Sequence, residues 1–433
     1  MNKKVFVLGA GITGLSAGIS TKNRIYEARQ LPGGICASYY MNAHGEKTYL
    51  RQNEESYRFE IGGGHWIFGA DDLVLRFIKN LSPVKKYKRN SAVYFSDRNL
   101  YVPYPLQNHL NYLPKNIAQK ALKEIMQADH GKPVIFMSQW LERHFGNTMC
   151  ELFFFPYHAL YTAGLFTKIE PQDQYKTPLD IEHIIKGYAG KTPQVGYNAT
   201  FVYPKAGLDD LIKRMAAKCN INYNKEVAAI DLKGKEVFFQ DGGSSKYEAL
   251  ISSIPLNQVV KLAGIKTFAT EPPYTSALVI NIGAKKGIRC PNYHWLYVPK
   301  NKSGFHRVGF YSNVDNSFLP KSSRKDNNIV SLYVEKTYLP SKKPKRAALK
   351  KICKDIVTEL KEWEFIADTE IIDPVWIETA YTWSYPDSDW KQKTTELLRQ
   401  NHVCPVGRYG LWEFQGIAQS IRDGLVLPRN VTA

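Results

Sequence analysis

The sequence predicts an α/β fold in which a Rossmann-like dinucleotide-binding domain is interrupted by a helical insertion and an antiparallel β-sheet domain. Three observations carry this. An apolar run at residues 4–8 leads directly into Gly9, Gly11 and Gly14 and then into a helix-forming segment. Residues 105–195 repeat their apolar side chains at helical spacing, and residues 275–340 fall into short β-rich segments.

The N-terminal unit is the most specific. Residues 4–8 (Lys-Val-Phe-Val-Leu) are too apolar for a half-exposed strand and fit a parallel strand buried on both faces. Leu15-Ser-Ala-Gly-Ile19 then opens a helix, and a second strand at 23–26 ends in Glu27. This arrangement aims backbone N–H groups and a helix N-terminus at a pyrophosphate, while Glu27 can accept from the ribose hydroxyls. A second glycine pair, Gly33 and Gly34, and the run Gly62-Gly63-Gly64-His65 let backbone approach a flavin closely. Simple NAD dehydrogenases lack these, and no second G-x-G-x-x-G follows, so the cofactor is expected to be FAD in a domain of glutathione-reductase type. Val227, in a strand at 226–231, and Gly407 and Gly424, in a closing strand–turn–helix at 402–424, complete the expected cofactor set.

The remaining elements follow in order. Helices are expected at 116–126 and 136–145, with an aromatic core segment at 152–157. Strands are expected at 226–231, 236–239, 249–254, 277–282, 293–298, 306–311 and 329–334, and a helix at 346–363. The FAD-binding domain is thus expected in three pieces (1–86, 196–268 and 396–433). Residues 87–104 supply strands to the sheet domain, 105–195 form the helical domain, and 269–395 form the sheet domain with its helix.

Composition narrows the function classes. No run approaches 18 apolar residues, which argues against a membrane span. The six cysteines are scattered without C-x-x-C spacing, which argues against a zinc site and fits a reducing cytoplasm. The net charge of +18 raises nucleic acid as a partner, yet no nucleic-acid motif accompanies the basic clusters at 85–89 and 342–346. Both clusters read as solvated surface, and the overall positive field suits a small phosphate-bearing substrate.

Several ordered segments resemble the UDP-galactopyranose mutase family, its eukaryotic branch more than the usual bacterial one. They are Gly63-Gly-His-Trp-Ile-Phe68, Val102-Pro-Tyr-Pro-Leu-Gln-Asn108, Phe155-Pro-Tyr157, Gly196-Tyr-Asn-Ala-Thr-Phe-Val-Tyr-Pro204, Trp295-Leu-Tyr-Val-Pro299, His306-Arg-Val-Gly-Phe-Tyr-Ser-Asn313 and Gly407-Arg-Tyr-Gly-Leu-Trp412. The resemblance implies an isomerase in which N5 of reduced FAD attacks the sugar's anomeric carbon and expels the nucleoside diphosphate. A covalent flavin–sugar adduct then interconverts pyranose and furanose with no net redox. It also implies an external reductant and a role in polysaccharide biosynthesis. It places His65 beside the flavin, Arg307 on the diphosphate and Arg408 near flavin and substrate. Tyr297 and Tyr385 fall on the substrate side, Asn198 near the sugar, and Tyr104 and Gln107 against the base.

The sequence departs from that family in the nucleotide pocket. His158 stands for an asparagine and Thr162 for a tryptophan, and Phe414 replaces a phosphate-binding tyrosine. A further diphosphate arginine has no clear match, with Lys176 the nearest substitute. An altered base or sugar is therefore expected. Two other readings stand beside this one: an oxidase of the amine-oxidase or protoporphyrinogen-oxidase type, and a non-catalytic nucleotide-sugar binder. No metal site is expected, and the oligomeric state is left open.

Overall fold

The computed structural model describes residues 4–51, 54–128, 133–172, 179–191, 199–266 and 269–427. Among them, a five-stranded parallel sheet runs in the order Ile221–Asn222, Arg24–Tyr26, Val5–Leu8, Ala249–Ser252, Val403–Pro405. Val7, Leu8, Leu250 and Ile251 are fully buried, as expected for strands covered on both faces. Distant parts of the chain thus meet edge to edge in one sheet.

The glycine motif positions the first helix, Ile12–Thr21, at the end of Val5–Leu8. A side chain at Gly14 would place its first carbon 1.9 Å from the Gly9 carbonyl oxygen, so only glycine lets helix and loop close up. The same helix packs against Ile417–Leu425 across Gly424, where an added carbon would lie 2.3 Å from the Thr13 carbonyl oxygen. Gly424 is therefore a helix-packing residue, and it does not line the cavity described below.

The second sheet corrects an expectation. It has seven strands in the order Ile366–Thr382, Tyr274–Lys286, Ile329–Tyr338, Arg307–Phe310, Trp295–Tyr297, Ser91–Phe95, Leu100–Pro103. Its pairs are antiparallel except one, Trp295–Tyr297 beside Ser91–Phe95, so the sheet is mixed. Those two strands come from before and after the helical layer, so no hairpin sets their direction. The strand Ile366–Thr382 was not foreseen. It lies at the sheet edge, carries Pro374 and is only partly buried, so neither hydrophobic run nor clean alternation marks it.

The 17-residue helix Arg346–Glu362 covers one face of this sheet, packing Cys353, Ile356 and Leu360 onto Ile280, Leu332 and Val334. The opposite face turns Val279 and Tyr333 toward the parallel sheet. Helices Lys115–Met126 and Met137–Met149 build a separate core with Phe145, Phe153 and Phe154. Met137–Met149 continues through a π-turn at Cys150–Phe154 into Phe155–Tyr161, which brings Phe153, Tyr157 and Tyr161 to the cavity wall. All six cysteines carry free thiols. No helix among the described residues is long and apolar enough to cross a membrane.

Substituting Gly424→Ala is expected to force the two helices apart and cost about 1–3 kcal/mol. Denaturant unfolding of the FAD-loaded protein measures this, and an unchanged midpoint would show that the contact is not tight.

Candidate functional site

One continuous cavity of about 860 Å³ lies between the two sheets and the helical layer. Its parallel-sheet end is built by the loops after the strands. Gly9 and Gly11 precede the N-terminus of helix Ile12–Thr21, which no side chain caps. Glu27 is buried, its Oε2 accepting from the Ala10 N–H (2.6 Å) and its Oε1 from the Arg29 N–H (2.9 Å). Each oxygen keeps a lone pair for a ribose hydroxyl. Gly33, Gly34 and Val227 line the same stretch.

Further along, the Gly62–His65 loop is held from beneath. The buried Glu60 carboxylate accepts from the His65 backbone N–H (2.9 Å) and from the Tyr203 hydroxyl. Burial pushes the Glu60 carboxyl up to about 7, against hydrogen bonds and a nearby Arg58 that oppose the shift. The His65 Nδ1 lies 3.0 Å from the Gly63 carbonyl, which can only accept, so Nδ1 carries the proton and Nε2 is the acceptor of the neutral ring. Burial lowers the His65 pKa and keeps the ring neutral.

The far wall is cationic and aromatic. Glu335, buried in its strand, accepts from Arg307 Nη1 (3.2 Å) and the Tyr381 hydroxyl (3.2 Å), with His306 Nε2 at 3.5 Å. Burial would raise the Glu335 carboxyl, but the Arg307 guanidinium and His306 outweigh it and hold it at about 2, below the usual 4.5. Arg408 donates to the carbonyls of Gln415 and Ala380 (2.9 Å each) and lies over the rings of Phe414 and Tyr381. Among the described residues no carboxylate comes within 4 Å of Arg408, leaving its charge uncompensated. Tyr297 packs against Tyr104, with ring centroids 4.5 Å apart.

The structure gathers much of the expected set around this cavity: Gly9, Gly11, Glu27, Gly33, Gly34, Gly64, His65, Tyr104, His158, Val227, Tyr297, Arg307 and Arg408 all line it. Others lie elsewhere. Gly14 packs helix against loop, while Gly63 and Gly407 turn the chain beside the cavity at φ +79° and +72°. Gln107 is buried within the short helix Leu106–Tyr112. The Thr162 hydroxyl is spent on the His158 carbonyl (2.7 Å) and the Phe166 N–H (3.0 Å), so Tyr161 forms that part of the wall instead. Tyr385 lies past the strand end and does not reach the cavity; Tyr381, one turn of sequence earlier, does. Asn198 and Lys176 fall outside the described residues. Sequence reasoning missed Glu335, Tyr381 and Arg89. A carboxylate inside an apolar strand was the one available signal for Glu335.

The residues fit a flavin dinucleotide. The uncapped helix N-terminus suits a pyrophosphate. Four buried polar atoms of cavity residues, Trp66 Nε1, Arg307 Nε, Arg408 Nε and the Tyr409 hydroxyl, have no partner among the described residues. Such groups are costly unless a ligand satisfies them. Among the described residues there is no His, Cys, Asp and Glu cluster able to hold a metal.

Comparison with known proteins agrees. A family model for flavin-containing amine oxidoreductases matches residues 10–399. The fold is similar to that of a reduced UDP-galactopyranose mutase (TM-score 0.83, 22% identity, 98% of this chain and 93% of that one). It is also similar to a provisionally assigned protoporphyrinogen oxidase from Exiguobacterium sp. 255-15 (TM-score 0.71, 14% identity, 98% and 97%). A third is a CLA-producing fatty acid isomerase from P. acnes (TM-score 0.60, 14% identity, 98% and 97%).

The Glu335 pair has a pH signature. Because its folded pKa is depressed, its stabilisation is complete above about pH 4.5 and is lost as pH falls toward about 2. Glu335→Gln is expected to remove that part of the acid-unfolding curve and to cost about 3–5 kcal/mol at neutral pH. Denaturant titrations across pH read both effects, and an unaltered acid limb would exclude the pair.

Proposed function

This chain belongs to the flavin-containing amine oxidoreductase family, and we propose that within it the cavity serves a nucleotide-sugar mutase interconverting pyranose and furanose forms. The observation that carries this reading is the charge of the wall facing away from the glycine loops. An amine substrate calls for carboxylates or an aromatic cage. Here the carboxylate on that wall, Glu335, is already neutralised by Arg307, and Arg408 adds an unpaired cation. Such a wall favours an anion, and a diphosphate above all.

The glycine loop at Gly9–Gly11, Glu27, Val227 and the Gly33–Gly34 and Gly64–His65 turns would hold FAD. Reduced flavin supplies a nucleophilic nitrogen for the anomeric carbon. The chain's own residues do the rest. As the sugar–diphosphate bond breaks, charge grows on the departing oxygens, and Arg307, Arg408 and the hydroxyl of Tyr297 can take it up. His65, neutral and locked by its Nδ1 hydrogen bond, presents an acceptor toward the cofactor side. Tyr161 in place of Thr162 reshapes the nucleoside end, and Phe414, beside Arg408, removes a phosphate donor; both support a substrate other than one built on uracil and galactose. The two ring forms are isomers, so the reaction consumes no net electrons.

An oxidase is the second reading, favoured by the family as a whole. The two separate cleanly. Dithionite-reduced protein, supplied with UDP-, GDP-, CDP- and dTDP-linked hexopyranoses, is expected to yield a furanose without consuming oxygen. Arg307→Ala is expected to lower kcat/KM about a hundredfold or more. Oxygen-consuming turnover of an amine by the oxidised protein, with every nucleotide sugar inert, would replace the mutase reading by the oxidase one.

A further inference from the structure

We infer that Glu60 is a proton-sensitive anchor for the His65 loop: while ionised it holds the loop's backbone down, and on taking up a proton it lets the loop go. The loop borders the cofactor side of the cavity, so this holds whichever substrate the other side takes. Glu60 closes the strand Tyr57–Glu60, and its side chain is fully buried beneath the turn that follows. The Gly62 N–H is tied to the Ile35 carbonyl (3.1 Å), but past Gly62 the turn depends on Glu60. Its carbonyl accepts from the Gly63 N–H (3.3 Å), its Oε2 from the His65 N–H (2.9 Å) and its Oε1 from the Tyr203 hydroxyl. Among the described residues, the bond to Oε2 is the one backbone hydrogen bond made by Gly64 or His65, both of which line the cavity.

What sets Glu60 apart is its lack of a counter-charge. Glu335, the other buried carboxylate at this loop, has Arg307 against it and stays ionised. Arg58, two residues before Glu60, spends Nη1 on the Ala206 carbonyl (3.4 Å) and Nη2 on the Ser317 hydroxyl (3.2 Å). Among the described residues no Arg or Lys comes within 4 Å of Glu60; His65 Nδ1 does, at 4.0 Å, on a neutral ring. Burial therefore pushes the carboxyl up to about 7. The Tyr203 and His65 hydrogen bonds and Arg58 oppose that shift, and Asp209, on the helix Leu208–Ala216, adds to it. The other ionisable groups around Glu60 hold one state. Burial keeps Cys36, Tyr203, Tyr311 and Tyr333 neutral, and Arg58 keeps its proton. Glu335 faces the turn from the far side, 3.1 Å from where a side chain on Gly63 would begin.

Loss of the Glu60 charge weakens both side-chain bonds at once. A carboxylate accepts charge-assisted bonds roughly twice as strong as neutral ones. Each oxygen already receives a donor, so a proton on Oε1 competes with the Tyr203 O–H and one on Oε2 with the His65 N–H. The Tyr203 oxygen meanwhile accepts from the Leu208 N–H (3.3 Å), which keeps its own hydrogen directed at Glu60. Glu60 is thus a positioning residue: it acts on the cofactor side through His65, holding it above neutral pH and loosening it below.

Hydrogen exchange at the His65 amide of the FAD-loaded protein tests this, over about pH 5.5 to 8.5, with each rate divided by that of the unfolded peptide at the same pH. Flavin absorbance checks that the cofactor stays bound. Wild-type protection is expected to fall about five- to tenfold as the pH is lowered through about 7. Glu60→Gln carries the neutral form at every pH and is expected to show the low protection throughout, without a step. Tyr203→Phe removes a bond that favours the carboxylate, so its step is expected about half a pH unit or more above the wild type's. It also decides the matter if the glutamine form loses FAD. Wild-type protection that is constant across the range overturns the inference and leaves Glu60 a fixed support. A step that survives in Glu60→Gln overturns it as well, by placing the proton on another group, and so does a Tyr203→Phe step at the wild-type pH.

Discussion

A carboxylate removed from water costs several kcal/mol unless opposite charge and hydrogen bonds replace its hydration. Glu335 meets that demand with three partners from two places in the chain. Arg307 is its register partner on the neighbouring strand, His306 sits beside that residue, and Tyr381 reaches in from the edge strand. The ion pair and the strand register therefore specify each other. A slip by one residue would turn the carboxylate into the apolar layer where Val334 packs against helix Arg346–Glu362. Because the register is fixed, Arg307 and Glu335 keep their places in the cavity wall before anything binds. A wall that is rigid before anything binds loses little on binding.

The cavity is divided between two kinds of backbone. The parallel sheet offers main-chain groups, glycine turns and a helix end, which suit a constant ligand. The mixed sheet and helical layer offer side chains, which are free to change with substrate. Two departures from the mutase resemblance, His158 and Thr162, fall on the helical layer, whereas Phe414 lies in the loop that follows the parallel strand Val403–Pro405. The Glu60 carboxylate beneath the His65 loop belongs to neither wall, yet it ties the glycine turn to the packed core through Tyr203.

What could be read in the sequence follows the same division. The Gly9–Gly14 loop and Glu27 were legible because local geometry demands those residues at those spacings. Tyr297, Arg307 and Arg408 were found through flanking segments. Tyr385 was selected where Tyr381 faces the cavity, because nothing local tells which tyrosine near a strand's end points inward. Arg89 was taken as surface because its sequence neighbours are lysines, and only the tertiary fold separates it from them. Glu335 was missed because a buried charge is readable only together with its partners. The parallel pairing of Trp295–Tyr297 with Ser91–Phe95 joins strands some 200 residues apart, a distance at which hydrophobic pattern says nothing of direction.

The interleaved parallel sheet has a consequence for synthesis. Its central strands are made first and early, at Val5–Leu8 and Arg24–Tyr26, but their neighbours at Ala249–Ser252 and Val403–Pro405 and the helix Ile417–Leu425 come last. At typical rates of about 5–20 residues per second, an emerging chain waits roughly 12–50 s before Ala249–Ser252 can cover the second edge of Val5–Leu8. The helical layer, whose contacts are local, can fold during that interval. Cofactor capture is then the closing event of biogenesis, and a ribosome stalled upstream of residue 400 would release a chain with an open sheet edge, a substrate for chaperones rather than for FAD.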